Sequence, residues 1–391
     1  MADKILILGG SHSEIPLITA AKQLGLEVVT TGNQPQHPGH RLSDFYIPGD
    51  FSQPDEMQDV FEKAKCTYLV SAANDYAYLT ACQVSKNKGL QGFDSVDIAY
   101  MLHHKHLFKP IAYSLGIPIT PFKIIQPNQN TDFSNVDLKY PILVKPSDLT
   151  GGKGISLVED PKHLSAAIDM ALKLSKQSSL VIEEFCDGSL HSFSTIISSG
   201  RIVFEYADNE FCHPNPYLVS TSTSQANVPL HILKDLRHQT EKLANHLQLK
   251  DGILHAQFLY KNDEYRVLEY TRRCSGDLYS TVVERVTGLI HAQQFIRQSI
   301  GLPTELSWVE PVSQYISRHC IFATSTGTVQ KIEQAPSIRP YVESIVSAWP
   351  RHHHFAKANT EKAAVALLHY HNLVDMQNHT ANLHQTIRAV N

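Results

Sequence analysis

Residues 142–158 read ILVKPSDLTGGKGISLV: an apolar run ending in Lys145, a loop holding Gly151, Gly152 and Gly154, and a second apolar run. Glycines leave a loop free of side-chain bulk, so its backbone N–H groups can fold around phosphate oxygens while a lysine adds a point charge. The same residues serve equally well as a flexible hairpin turn between the strands PILVK and GISLV. The GxxxxGKS/T spacing of a Walker loop is missing, since Lys153 is followed by Gly154 rather than by a hydroxyl residue. On this motif alone the cradle and the turn both stand, and the rest of the chain has to choose.

A chain of 391 residues exceeds a typical single domain and predicts two or three units, each able to bury a core. With 42% hydrophobic residues, 18% charged residues and a formal net charge of -4, the composition points away from disorder, collagen-like repeats and bulk nucleic-acid binding. The start MADKILILGG enters a strand directly, without the long apolar region of a signal peptide. No stretch reaches the roughly 18 apolar residues of a membrane span, so a cytoplasmic protein is expected. Cys66, Cys82, Cys186, Cys212, Cys274 and Cys320 form no CxxC pair, which argues against a zinc site or a disulfide framework.

KILILGG reads as a strand, EIPLITAAKQLGL as a helix closed near Gly25, and EVVTTG as the next strand. CTYLVSAAND and YAYLTACQVSKNKGL repeat the strand–helix unit, so the first 95 or so residues predict an open parallel sheet. Such sheets bind ligands beyond the carboxyl ends of their strands, which makes GGSHSE either a ligand loop or a tight turn. AYMLHHKHLFKPIAYSLGIPITPF follows as a helix with Lys105 and Lys109 four apart on one face, a solvated face on composition alone. YPILVKPSD and SSLVIEEFCDG read as strands flanking the helix PKHLSAAIDMALKLSK. HSFSTIISSGRIVFEYA reads as a hairpin turning at Ser199 and Gly200. A helix over 231–249, a second hairpin turning at Asn262 and Asp263, and short strands with a final helical segment from about residue 304 complete the expectation.

The order of the motifs carries more than any one of them: Lys105, then Lys145 with its glycine loop, then Glu183 and Glu184 at a strand end, then Gln257 and Glu269 on adjacent strands. This order resembles the ATP-grasp superfamily over about residues 1 to 300, including its preceding pre-ATP-grasp unit. Carbamoyl phosphate synthetase large chains, biotin carboxylase and peptide-forming ligases share it. The resemblance implies an α/β and α+β chain of three units: a parallel-sheet pre-ATP-grasp domain over 1–98, an ATP-grasp domain over 99–303 and a small C-terminal domain over 304–391. It implies ATP and one or two Mg2+ ions, with Mn2+ as a substitute.

By that resemblance, Lys105 and Lys145 bind the ATP phosphates, and Gly151, Gly152, Lys153 and Gly154 form the mobile loop that closes over them. Glu183, Glu184, Phe185 and Cys186 form the hinge that receives adenine, with the two glutamates not both touching it. His191 grips the ribose, against the alternatives that Leu190 takes that register or that the ring is a hydrogen-bonded strand histidine. Magnesium needs oxygen ligands and keeps several waters, which suits Glu269 and the amide oxygen of Gln257. Thr271 stands where the family's Glu-x-Asn-Pro-Arg stretch has Asn, and Arg272 where it has Pro. A hydroxyl is a weaker ligand than an Asn carbonyl, so the second metal position is open to loss or completion by water. Arg273, at the Arg position, is the residue expected to stabilise the transferring phosphoryl group or the acyl intermediate.

The implied activity is a ligase that activates a carboxylate as an acyl phosphate for capture by an amine. Its partners are small-molecule carboxylate and amine substrates, with no nucleic acid and no membrane, and a homodimer is left open. Two alternatives remain: a carboxylating or carbamoyl-phosphate-type enzyme, favoured by Gln257, and an ATP-binding regulator with weakened catalysis, favoured by Thr271 and Arg272. A nicotinamide-dependent dehydrogenase is disfavoured because Gly9 and Gly10 do not complete the dinucleotide fingerprint. EFCHPNPYLVSTSTSQANVP is read as either a substrate-facing segment or a surface loop, and His352, His353 and His354 as solvent-exposed rather than metal-binding.

Overall fold

A computed structural model describes residues 2–126 and 136–390. Strand β1 (Lys4–Leu8) is buried along its apolar run and lies between β2 (Glu27–Gly32) and β4 (Tyr68–Ser71), with β3 (Phe45–Pro48) on the outer edge of β2. All pairs are parallel, giving the order β3-β2-β1-β4. Helices α1 (Ile15–Gln23), α2 (Pro54–Lys63) and α3 (Asp75–Lys88) cross between them. Ser11 and Glu14 form a capping box ahead of α1, Asn74 caps α3 by accepting from the Tyr76 N–H, and Gly25 takes φ 78° just past α1. The GGSHSE loop is thus closed by its own side chains: the Glu14 carboxylate accepts from the backbone N–H groups of Ser11 and Ala73. Gly10 lies against the His40 ring, so close that a β-carbon would meet it at 2.1 Å.

The single helix expected from residue 99 is two helices, α4 (Val96–His103) and α5 (Lys105–Ser114). His104 breaks the run with an extended backbone at φ -109° and ψ 111°. Its ring stacks on Tyr100, its Nδ1 lies 2.7 Å from the Tyr100 carbonyl, and the Lys105 N–H leaves the helix to reach the Ser147 carbonyl. That break turns Lys105 and Lys109 inward, away from the solvent expected for them.

Strands β5 (Phe122–Ile125), β6 (Ile142–Pro146), β7 (Ser156–Val158) and β8 (Leu180–Glu184) make a small antiparallel sheet in the order β5-β8-β6-β7, covered by α6 (Leu164–Leu174). The glycine loop is therefore the β6–β7 hairpin connection. The larger sheet begins with β9 (Ser189–Ser198) and β10 (Arg201–Phe211), joined by Ser199 and Gly200 at φ 51° and 73°. It continues with β11 (Thr221–Thr223), β12 (Gly252–Lys261) and β13 (Glu264–Thr271), the last two joined by Asn262 and Asp263 at φ 49° and 64°. Helix α7 (Leu230–His246) lays Ile232, Leu236 and Leu243 against this sheet together with Phe108 from α5. Burying each such side chain is worth about 1.5–3 kcal/mol.

After α8 (Tyr279–Thr287) and α9 (His291–Ser299), the chain adds β14 (Ile316–Phe322), β15 (Gly327–Thr328), β16 (Lys331–Gln334), β17 (Val342–Ser347), β18 (His354–Phe355), β19 (Lys362–His369), α10 (Leu373–Thr380), α11 (Leu383–Thr386) and β20 (Ile387–Val390). Pairs β15–β18 and β16–β20 stand apart. Strands β14, β19 and β17 instead extend the larger sheet, whose order is β13-β12-β9-β10-β11-β14-β19-β17. The segment from residue 304 has its own apolar cluster around Ile338, Phe355 and Met376, yet its main strands belong to the central sheet. No helix among the described residues is long and apolar enough to cross a membrane.

Candidate active site

Antiparallel register aligns directly opposite residues on one face of a sheet. On one face of the larger sheet it produces three polar rows. Arg318, Ser222 and Glu210 form the first, Asp208, Ser192, Gln257 and Glu269 the second, and Tyr206, Ser194, His255 and Thr271 the third. This face and the small sheet border a cleft of 1190 Å³, with the glycine loop at its rim and Ser13, Ala73 and Asp75 of the N-terminal unit along one side. Lys105, Lys145, Gly151, Gly152, Lys153, Glu183, Glu184, Phe185, Cys186, His191, Gln257, Glu269, Thr271 and Arg273 all line it. Gly154 does not: it packs beneath the loop, where a β-carbon would meet Pro146 at 2.8 Å. Gly152 takes φ 72° and lies against Tyr217, whose carbonyl oxygen a β-carbon would meet at 2.6 Å.

Three lysines converge at the inner end. Lys109, only 1% exposed, and Lys145 both pair with the Glu183 carboxylate, which also accepts a 2.6 Å hydrogen bond from Thr120. Lys105 donates to the Leu149 carbonyl and lies 3.8 Å from Glu269. Glu183 thus anchors two lysines, and the hinge expectation is that Glu183 and Glu184 do not both touch adenine. One carboxylate shared by two lysines cannot neutralise both. Burial, then the charges of Lys109 and Lys105, hold the Lys145 ammonium well below the ordinary lysine range.

At the hinge, the Glu184 N–H donates to the Pro121 carbonyl, the Phe185 N–H to the Pro141 carbonyl, and the Glu184 carboxylate accepts from the Lys139 N–H. Leu143 and Leu157 of the small sheet and Leu190, Leu259 and Leu268 of the larger one line the cleft, supplying apolar walls of the kind a flat ring requires. His191 is buried, with Nε2 2.7 Å from Ser189 Oγ and Nδ1 3.2 Å from the Asp208 carbonyl, and burial lowers its pKa to about 4. Both ring nitrogens are already engaged, as in the strand-histidine alternative.

Gln257 and Glu269 are direct cross-strand partners. Gln257 Nε2 donates to Glu210 at 2.7 Å, which leaves its amide oxygen for a metal, and the buried Thr271 Oγ1 has no hydrogen-bond partner. One carboxylate plus neutral oxygens beside a cluster of lysines fits Mg2+, which takes few protein ligands and completes its shell with phosphate oxygens and water. No cluster of three or more His, Cys, Asp or Glu suited to a metal occurs among the described residues, the His352–His354 stretch included, where His353 stacks on Trp349 at 4.0 Å.

Arg273 does not stand alone. Its Nε donates to Asp75 at 2.6 Å, and His103 lies 3.2 Å from the same carboxylate oxygen. Burial pushes the Asp75 carboxyl up, but Arg273 and His103 outweigh it and hold the group well below the carboxylate range. Arg272 turns the other way, fully buried, onto Asp94 at 2.6 Å. Asp277, at φ 55°, gathers His12, Arg318 and Lys362 around one carboxylate, tying the N-terminal unit to the C-terminal strands at the cleft wall. Burial drives Asp208 up to about 7 and Glu210 up to about 8.

Sequence reading did not single out Asp75, Asp208, Glu210, His255, Asp277, Arg318 or Lys362. The one available signal was Asp208 and Glu210 two apart within an alternating strand, an arrangement that puts two acids on one face. Of the segment EFCHPNPYLVSTSTSQANVP, Glu210, Phe211, Cys212, His213, Pro216, Tyr217, Leu218, Val219, Thr223, Gln225 and Asn227 line the cleft.

The family model described as carbamoyl-phosphate synthase L chain, ATP binding domain, matches residues 104–307. The C-terminal section of a carbamoyl phosphate synthase large chain from Aquifex aeolicus is 26% identical over 215 residues, covering 54% of this chain and 36% of that protein, so this chain spans about a third of its length. A formate-dependent phosphoribosylglycinamide formyltransferase from Prochlorococcus marinus is 24% identical over 315 residues, covering 79% of each. Among solved structures, an L-amino acid ligase from Bacillus licheniformis superposes with a TM-score of 0.79 at 16% identity, covering 100% of this chain and 98% of that one. A phosphoribosylglycinamide synthetase from Anaerococcus prevotii superposes at 0.75 and 16%, covering 100% of both. With the family model matching more than half of its length, the chain belongs to the ATP-grasp proteins of the carbamoyl-phosphate synthase L chain, ATP binding domain family.

Proposed function

We propose that the protein is an ATP-dependent carboxylate–amine ligase. The observation that carries this reading is the approach of Lys105 Nζ to 3.8 Å from Glu269, which brings a phosphate-binding lysine and a metal-binding carboxylate to one point of the cleft. Adenine lies in the leucine-lined slot by the hinge, with Glu184, Phe185 and Cys186 at its edge and His191 in its floor. Lys105 and Lys145 hold the phosphates under the loop of Gly151, Gly152 and Lys153. Glu269 and Gln257, with Thr271 or water, would hold one or two Mg2+ ions, which would supply charge neutralisation of the triphosphate. A carboxylate oxygen of the substrate bonds to the γ-phosphorus as the bond to ADP breaks, and Arg273 holds the charge of the transferring group. An amine nitrogen then attacks the acyl carbon, losing its proton as phosphate leaves.

Incubation with ATP, magnesium and pools of amino acids, dipeptides, sugar acids and bicarbonate, followed by assay of ADP and of acyl phosphate trapped with hydroxylamine, tests this directly. Stimulation of ADP release with a trapped hydroxamate is the expected result. ATP binding with no stimulation by any pool defeats the ligase reading in favour of a nucleotide-binding regulator. Gln257, an amide in the metal-facing row, favours a second reading, phosphoryl transfer to bicarbonate as in a carbamoyl-phosphate-type enzyme, and stimulation by bicarbonate alone selects it. A cytoplasmic location and a homodimer belong to the same proposal, the latter read from the molar mass in solution.

The lysine cluster also sets a pH dependence. In the free protein the Lys145 pKa is depressed, and a bound triphosphate restores it, so the complex holds more protons than its separated parts. ATP affinity therefore falls as pH rises between the free and bound pKa values, by at most about tenfold per pH unit for one proton. Titration calorimetry in buffers of different ionisation enthalpy should register proton uptake, and an affinity unchanged between pH 7 and pH 9 contradicts the assignment.

A further inference from the structure

A file of six rings runs from the N-terminal sheet into the C-terminal segment. Tyr46 on β3 lies 4.2 Å from His40, and His40 lies 6.3 Å from His37, both histidines belonging to the connection between β2 and β3. His37 lies 4.5 Å from Trp349, which stacks on His353 at 4.0 Å, and His353 meets Phe355 of β18 at 4.8 Å. The contact of His37 with Trp349 is thus where the N-terminal unit meets the 349–355 segment. His40 is fixed and neutral: its ring is buried against Gly10, its Nδ1 lies 2.9 Å from Thr30 Oγ1, and its Nε2 has no partner, so a proton there would be a buried donor without an acceptor. His37 faces three more imidazoles, those of His40, His12 and His353. The acids nearby serve other groups. Asp277 holds His12 at 3.1 Å together with Arg318 and Lys362, and Glu361 acts on His353, opposed by His354. Among the described residues, no carboxylate is found to ease a charge on His37 or His40. Burial, and then the neighbouring histidines, lower the His37 pKa to about 4.

We propose that this file of rings is an acid-released clasp: neutral His37 holds the N-terminal unit against Trp349, and the contact opens when His37 takes up a proton. In the open form the ring reaches water and titrates near the ordinary histidine value of about 6.5. Between about 4 and 6.5 the open form therefore binds more protons than the closed one, and acid favours opening, while above that window the clasp stays closed. Each pH unit lost within the window weakens the closed form by up to about tenfold, about 300-fold in all. His12 links the clasp to the cleft, since the ring that faces His37 also bonds Asp277 beside Arg318 and Lys362. The inference stands apart from the ligase reading and survives or fails without it.

The chain has two tryptophans, Trp308 and Trp349, and Trp308 is 53% exposed, so Trp308→Phe leaves Trp349 as the reporter of its own contact. Its emission is followed from about pH 8 to about pH 4 alongside far-UV circular dichroism. A red shift with the steepness of one proton and a midpoint between about 4 and 6.5, at constant far-UV signal, is the expected result. Adding His37→Phe keeps a ring against the indole but takes up no proton, and should abolish the transition in that window. Should His37→Phe not fold, His37→Gln, likewise uncharged, is read in the same way. Emission that stays constant down to about pH 4, a shift that coincides with loss of the far-UV signal, or an unchanged transition in the His37 variant each overturns the clasp.

Discussion

Arg273→Ala should lower kcat by about 10²–10³-fold, the range for removing one preorganised donor from a developing negative charge, while the Kd for ATP changes little. Arg273 is held in place before any substrate arrives, because Asp75 at the start of α3 fixes its Nε and His103 steadies Asp75. Such preorganisation means that the guanidinium need not be reoriented when charge builds up. It lies just past the end of β13, beyond Glu269, outside the hinge residues proposed to receive adenine. Steady-state kinetics with the stimulating carboxylate, alongside equilibrium ATP binding, separates the two quantities. A variant with normal turnover removes Arg273 from the chemistry. Asp75→Asn keeps a hydrogen-bond acceptor but loses the charge, and should fall between the wild type and Arg273→Ala.

Arg272→Ala should destabilise the fold by about 3–5 kcal/mol, the cost of leaving a buried charge without its partner. The side chain is fully buried. Its guanidinium donates to Asp94 at 2.6 Å, to the Ile253 carbonyl at 2.6 Å and to the Lys250 carbonyl at 2.7 Å. Asp94 in turn accepts from the Tyr78 hydroxyl at 3.0 Å and the Lys250 N–H at 2.8 Å. Deleting the arginine strands Asp94 and two carbonyls at once, and the N-terminal unit loses its grip on the end of β13. Urea unfolding should show the midpoint shift. Exchanging both partners for apolar residues, Arg272→Met with Asp94→Leu, should cost less than either single change, because no unpaired charge remains. A single variant as stable as the wild type contradicts this account.

Much of the fold was legible because it is written in short range. The hairpins at Ser199–Gly200 and Asn262–Asp263 show as two-residue turns between alternating runs, and all four residues adopt the positive φ that such turns need. Helix α7 shows in the spacing of Ile232, Leu236 and Leu243, and the parallel N-terminal sheet in its repeated strand–helix units. The linear order of Lys105, Lys145, Glu183, Gln257 and Glu269 sufficed to place them in one cleft. The break at His104 was not legible, because it depends on a ring stacked on Tyr100 and on the distant Ser147 carbonyl. Lys109 accordingly read as a solvated residue although it is buried on Glu183.

What the sequence by itself determined is most of the elements, the class of the fold and most of the residues that line the cleft, since propensity, side-chain period and motif order are properties of the chain alone. Only the tertiary structure decided which charges meet. Arg273 and Asp75 are 198 positions apart, Arg272 and Asp94 178, and Lys362 and Asp277 85. A period of two says that Asp208 and Glu210 share a face. It does not say that β14 will lie one strand beyond β11 and bring Arg318 into the row of Glu210. The pairing of strands far apart in the chain is selected by packing of the whole core, and that pairing turned a list of polar residues into a charged pocket.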